Sequence, residues 1–405
     1  VLARSLKSAA AAVPARAGRG VGLQKLRDLA IGPAVIQADR ELDQAEAAQL
    51  MRQLAADPDV EYVEVDQIMY PTWTPNDPSY SQQWGFNGTY GIKAQQAWDI
   101  TKGAGQLVAV LDTGITTHSD LSANVIGGYD FISDTTVAGD GNGRDSNPAD
   151  PGDYYGGSAS SWHGTHVAGT MAANRDGNGM HGVAFGADLS SARLFNDSLT
   201  IVDLPCILYN DCLSFGTGAD SNAFAQMYQQ AADHGVRAMN HSWGYTYQAY
   251  TPEEVALYHD ALMANAGIAA TFEEMAAASR DTGLLQVVAA GNSTTNASPA
   301  ASPHASAPAT LPMLFPEIEQ YWVSVVNLNE QLELSNRSMK CGVSAEWCIA
   351  APGSNITSTV YGGDEDIVAD WVVDADGNLR FEYGDFSADF AYADYSGTSM
   401  AAPHV

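Results

Sequence analysis

The chain has 405 residues, 45 % of them hydrophobic, which exceeds one ordinary core and points to a small domain beside a larger one. Its 18 Lys and Arg against 48 Asp and Glu give a formal net charge of −30, a surface that repels nucleic acid and acidic lipid. No apolar run reaches the ~18 residues that a membrane-spanning helix needs, so no membrane segment is expected.

Residues 1–20 are rich in Ala, Arg and Gly and are expected to be disordered. The apolar stretch Ala9–Val13 is too short for a signal peptide. From Val21 the pattern becomes compact. Ala34–Gln37 predicts a strand, and Ala45, Ala48, Leu50, Met51 and Leu54 fall at helical spacing. Asp57-Pro58-Asp59 predicts a turn, and Val60–Val65 alternates as a strand should. Residues 21–72 therefore make a small α+β unit, and Tyr70–Pro78, rich in Pro, Thr, Asn and Asp, reads as a linker.

From Ser79 short β-branched runs alternate with helical stretches. Leu107–Leu111 predicts a buried strand, His166–Ala173 a small-residue helix, Gln226–Ala232 a helix, and Ala238–Asn240 a short strand. Glu253–Arg280 contains helix, and Leu284–Ala290 is another buried strand. This alternation implies an α/β class, a parallel sheet covered by helices on both faces, over residues 73–405. The stretches 203–221, 293–312 and 362–393 read as long surface excursions. The four cysteines form two local pairs, Cys206 with Cys212 and Cys341 with Cys348. Two disulfides and an oxidising compartment fit that count, with four buried thiols as the alternative.

Acyl transfer needs a nucleophile, a base, an orienting carboxylate and an oxyanion donor. Asp112 ends the apolar strand and precedes Thr113-Gly114, at the sheet face where such folds place their sites. His163 opens His163-Gly164-Thr165-His166, whose small residues let a helix pack close under the imidazole. Without a His-Glu-x-x-His pattern, zinc is the weaker reading of these two histidines. Ser399 lies in Gly397-Thr398-Ser399-Met400-Ala401-Ala402-Pro403, where a helix starting at the serine offers free N–H groups to a developing oxyanion. Asn292 follows the apolar run Val287–Gly291 and could supply a second donor; an ordinary turn Asn is the alternative.

These four segments closely resemble those of the subtilisin-like serine proteases, the subtilases, from about Trp73 to Val405. The order Asp, His, Ser is what the resemblance to that family implies, and spacing alone does not reveal it. The resemblance implies a serine endopeptidase in which Asp112 orients His163, His163 is general base and acid, Ser399 attacks, and Asn292 stabilises the oxyanion. It implies that Asn240-His241-Ser242-Trp243-Gly244 pairs with an extended substrate. Ser242, Trp243 and Gly244 would then wall the pocket for the residue before the cleaved bond, together with Ala289, Ala290 and Gly291. The floor of that pocket falls in 293–312, so its preference is open.

The resemblance further implies calcium, held through Asp77, Asp120, Asn174, Asp176, Asn178 and Met180, as hard oxygen ligands suit it. The acidic loop Asp140–Asp153 reads as a second ion site or as a solvated loop. Residues 21–72 match an inhibitory propeptide whose tail, Asp66–Tyr70, would lie in the substrate cleft. A secreted location follows. The segment Cys341–Gly353 is also similar to subtilases carried as autotransporter passengers, which would put the protein on a cell surface through a C-terminal barrel. The family's helix after the serine is long, so sequence beyond Val405 is expected and residues 1–405 alone are expected to be inactive or poorly folded. Two other readings are a catalytically inactive peptide-binding homologue and an acid-active serine-carboxyl peptidase, which would carry Glu in place of His163 and Asp in place of Asn292.

Overall fold

A computed structural model of the chain describes residues 6, 9–11, 20–29, 33–65, 75–152, 160–195, 221–245, 247–293, 302–361, 370–373, 379–382 and 391–405. The chain divides into two compact units, Val1–Pro71 and Thr72–Val405.

In the first unit β1 (Leu23–Asp28) pairs antiparallel with β2 (Ala34–Ala38), and α1 (Gln44–Ala55) follows. A capping box starts α1: the Asp43 side chain accepts from the Glu46 N–H while the Glu46 side chain accepts from the Asp43 N–H. Leu54 buries beside Leu23, Ile36, Leu50 and Val63. The strand expected at Val60–Val65 does not form. β1, which the sequence pattern did not reveal, pairs with β2, and Tyr62 and Val65 remain more than half exposed. Of the described residues in 1–20, Leu6 and Ala9 are buried in this same cluster.

The second unit is built on a seven-stranded sheet in the order β4-β5-β3-β6-β7-β8-β9. The strands are β3 (Leu107–Asp112), β4 (Val125–Asp130), β5 (Asp188–Arg193), β6 (Ala238–His241), β7 (Leu285–Ala289), β8 (Trp322–Leu328) and β9 (Cys348–Pro352), all paired in parallel. Period-two alternation sends β3 side chains to opposite cores. Ala109 and Leu111 join Phe224, Met227, Phe272 and Met275 of α3 (Ser221–His234) and α5 (Ala266–Thr282). Val110 joins Val167, Ala168 and Ala172 of α2 (His163–Ala172) on the other face. The expected doubly covered parallel sheet is therefore present. The helical stretch expected over Glu253–Arg280 is two helices, α4 (Pro252–Met263) and α5, separated because the Asn265 side chain caps α5 by accepting from Gly267 and Ile268.

Sequence pattern missed β4, β5, β8 and β9. β5 reads Asp-Leu-Ser-Ser-Ala-Arg and carries no apolar run, yet Arg193 is fully buried against Asp130 and the Ala138 carbonyl. The described part of the excursion expected at 293–312 is also not superficial. Ala305, Ala307, Ala309 and Leu311 are buried in the main core, because their small side chains let the segment pack closely. In 362–393 the described β11 (Asp370–Val373) pairs antiparallel with β12 (Leu379–Glu382). β13 (Ala391–Tyr395) then pairs with β10 (Ile356–Val360). The chain ends in a short helix, α6 (Thr398–Ala401), and a 3-10 turn. Cys341 and Cys348 are disulfide-bonded; Cys206 and Cys212 lie outside the described residues.

Candidate active site

The strand order reverses at β3. The chain leaves it for β4 and β5 on one side and returns to β6 on the other, which opens a crevice at the carboxyl end of β3. Asp112 is the last residue of β3 and is 2 % exposed. Its Oδ1 accepts from the Thr113 N–H at 2.8 Å and lies 2.7 Å from His163 Nδ1. Beside a carboxylate, Nδ1 carries the proton and Nε2 is left with a lone pair. Gly164 permits this approach: a Cβ there would overlap the Gly114 carbonyl and press on the Asp112 side chain. The Asp112 Oδ2 is buried with no hydrogen-bond partner among the described residues.

Ser399, nearly buried, is the second residue of α6. Its hydroxyl donates to the Ser242 carbonyl at 2.8 Å, and the Ser242 hydroxyl donates to the Ser399 carbonyl at 2.7 Å. Asn292 stands beside this turn. Its Oδ1 accepts from the Thr398 N–H at 3.0 Å and from the Thr398 hydroxyl at 3.3 Å. With the oxygen occupied there, Nδ2 faces Gly397, where an added Cβ would lie 3.4 Å from it.

Ser242, Trp243 and Gly244 continue from β6; Ala289 ends β7, and Ala290 and Gly291 lead on to Asn292. The Trp243 ring packs against Phe195 and His241. A Cβ on Gly291 would meet Ser306 Oγ at 2.8 Å and Met339 Sδ at 2.7 Å, and one on Gly244 would meet the same Ser306 Oγ at 3.2 Å. Ser306 therefore sits between the two glycines. No periodicity or motif in 293–312 singled it out. The Ser306 N–H donates to Ala290 and the Met339 N–H to Gly291, which fixes both segments against the β7 end.

A second polar cluster lies at the 174–180 loop. Asp77 Oδ1 accepts from the Asp176 and Gly177 N–H groups at 3.2 and 3.0 Å. Asp120 Oδ2 accepts from the Met180 N–H at 2.8 Å and the Tyr392 hydroxyl at 2.7 Å. Asp176 Oδ1 accepts from the Asn178 N–H. Asp77 Oδ2, Asp120 Oδ1 and Asn174 Oδ1 are buried without a hydrogen-bond partner among the described residues. Burial raises the Asp120 pKa, and nearby Asp176 and Asp77 add to the rise. Among the described residues no three His, Cys, Asp or Glu side chains form a metal cluster. The unpartnered oxygens form a mixed set instead, two carboxylates and an amide, which fits a hard cation.

A sequence model of the Subtilase family matches residues 103–405. The chain is 38 % identical to an "Extracellular protease" of Xanthomonas campestris pv. campestris, across 100 % of this chain and 60 % of that protein. It is 33 % identical to an "Extracellular basic protease" of Dichelobacter nodosus, across 95 % and 56 %. The chain thus spans about 60 % of the length of these relatives. Among solved structures, a protease from Pseudoalteromonas arctica superposes with a TM-score of 0.58 at 28 % identity, covering 82 % of this chain and 84 % of that one.

Proposed function

This chain belongs to the subtilase family, and on that premise we propose that it is a secreted serine endopeptidase that cleaves polypeptides through Asp112, His163 and Ser399. The observation that carries the reading is the 2.7 Å contact of His163 Nδ1 with the buried Asp112. It leaves Nε2 as the acceptor, as general-base chemistry requires. The Ser399 hydroxyl turns from the Ser242 carbonyl to His163 and attacks the scissile carbonyl carbon while its proton passes to Nε2. The tetrahedral oxyanion takes hydrogen bonds from Asn292 Nδ2 and the Ser399 N–H. The C–N bond then breaks, His163 returns the proton to the leaving amine, and water attacks the acyl-enzyme by the same route.

The backbone of Ser242–Gly244 pairs with the substrate as an added strand. Ser306 lies against both Gly244 and Gly291, and Met339 against Gly291; these uncharged neighbours favour an uncharged side chain before the cleaved bond. Residues 21–72 act as an inhibitory propeptide; their tail, Asp66–Tyr70, lies outside the described residues. Asp77, Asp120, Asn174, Asp176, Asn178 and Met180 hold calcium, which offsets the buried carboxylate charge and fixes the loop. The unpartnered oxygens support this. The relatives named as extracellular proteases support secretion.

The test is hydrolysis of a peptide library by the full-length protein and by Ser399→Ala, together with a fluorophosphonate label. Cleavage and labelling that both vanish in Ser399→Ala are expected. Cleavage that persists in that variant removes Ser399 from the role.

A further inference from the structure

The helix that carries His163 has no cap of its own. Trp162 occupies the N-cap position of α2 in a left-handed conformation, φ 48°, and makes no side-chain cap hydrogen bond. The first amides of a helix have no partners within it and must find them elsewhere. For α2 they come from outside the helix. The His163 N–H donates to Ser161 Oγ at 3.3 Å, and the Gly164 N–H donates to Thr113 Oγ1 at 3.0 Å. Thr113 directly follows Asp112.

A hydroxyl has one proton and two lone pairs. Thr113 gives its proton to Asp150 Oδ2 at 2.7 Å, which leaves a lone pair for Gly164. Asp150 is buried, and its Oδ1 accepts from the Gly152 N–H at 2.8 Å. Both oxygens thus accept, as the oxygens of an ionised carboxylate do. The loop that carries Asp150 is itself held in place. Asp130 and Asp145 exchange backbone hydrogen bonds, and the Ile115 N–H donates to the Pro148 carbonyl. Gly114, at φ +105°, lets the loop close over β3, since a Cβ there would meet the Pro148 carbonyl and the Asp150 nitrogen.

We propose that Asp150 is a positioning residue for the catalytic pair: through Thr113 it caps α2 at Gly164 and thereby fixes His163 against Asp112. This rests on the reading of His163 as the general base. Asp150 touches no reacting atom, so its loss shows in placement of the base and hence in kcat. Substrate binding along Ser242–Gly244 is on other elements and stays intact.

The experiment measures kcat, KM and thermal midpoint on a peptide anilide for the full-length wild type, Asp150→Asn, Thr113→Val, Thr113→Ser and the Asp150→Asn/Thr113→Val double variant. Asp150→Asn and Thr113→Val are each expected to lower kcat by about 10- to 100-fold with KM within about twofold. Thr113→Ser keeps the hydroxyl and is expected within about threefold of wild type, while the double variant falls no further than the worse single one. Wild-type kcat in Asp150→Asn overturns the inference, as does a Thr113→Ser variant as slow as Thr113→Val. If Asp150→Asn does not fold, the two Thr113 variants, which keep Asp150, decide by the same criterion. A wild type without peptidase activity defeats the functional reading and this inference together. An active wild type with unaffected Asp150→Asn defeats the inference alone.

Discussion

Ser242 and Ser399 hold each other through two hydrogen bonds that run in opposite directions, each hydroxyl donating to the other residue's carbonyl, at 2.7 and 2.8 Å. Asn240 Nδ2 extends the link by donating to Ser242 Oγ at 2.7 Å. The substrate-strand segment and the turn that bears the nucleophile are thereby placed by one another, although they are 157 positions apart. Ser242→Ala removes one of the two bonds and leaves the Asn240 amide without its acceptor. A net hydrogen bond of about 1 kcal/mol predicts a fall in kcat of about fivefold, with KM little changed. Steady-state kinetics on a peptide anilide check this, and a change confined to KM would assign Ser242 to ground-state binding.

Asn292→Ala should lower kcat by about 10²–10³ with KM nearly constant. Its Oδ1 is occupied by Thr398, which turns the amide hydrogens toward Gly397, where they would meet charge that exists only in the transition state. Loss of affinity without loss of kcat contradicts the assignment.

Chelation should lower the thermal midpoint. A cation at a hundred times its dissociation constant adds about 2.7 kcal/mol, or about 4 °C for a unit as long as Thr72–Val405 at about 2.1 cal/mol/K of unfolding entropy per residue. Asp120→Asn should erase most of the difference between calcium and chelator, because Asp120 Oδ1 is one of the three unpartnered buried oxygens. Equal midpoints of the wild type in calcium and in excess chelator remove the cation from the account.

Stability should fall with pH in a window set by buried histidines. Burial lowers the pKa of His166 to about 3 and of His241, His259 and His404 to about 4. The folded state keeps these imidazoles neutral, whereas the unfolded chain protonates them below about 6.5. The unfolded state therefore binds more protons, so stability is full above that pH and is lost as pH falls toward 4. Between about pH 6.5 and 5 most exposed carboxylates are still ionised, so a falling midpoint there reports the histidines. A midpoint that is flat across that interval contradicts the buried neutral imidazoles.

Some of this protein is written locally in its sequence. Asp112 alone was ambiguous, because a turn-forming Asp after a strand is common; it stood out only in the company of the His163, Asn292 and Ser399 segments. Gly164 was legible because no larger residue fits beside the Gly114 carbonyl. β3 and β7 announced themselves through apolar runs, since a central parallel strand is buried on both faces. The alternation of Val60–Val65 misled, because a strand needs a partner and β2 pairs with β1. β5 was invisible, because Arg193 is made tolerable in the core by Asp130, 63 positions away.

The sequence by itself determined the chemistry: which side chains can donate, accept or attack, and in what local backbone setting. Only the tertiary structure decided which groups meet. It put Ser306 between Gly244 and Gly291, set Ser242 against Ser399, and brought Asp150 to Thr113. Local motifs report short-range sterics, which one stretch of chain imposes on itself. Hydrogen-bond partners such as these are separated by tens to hundreds of positions, and they are fixed only when the sheet order brings distant strand ends to one crevice.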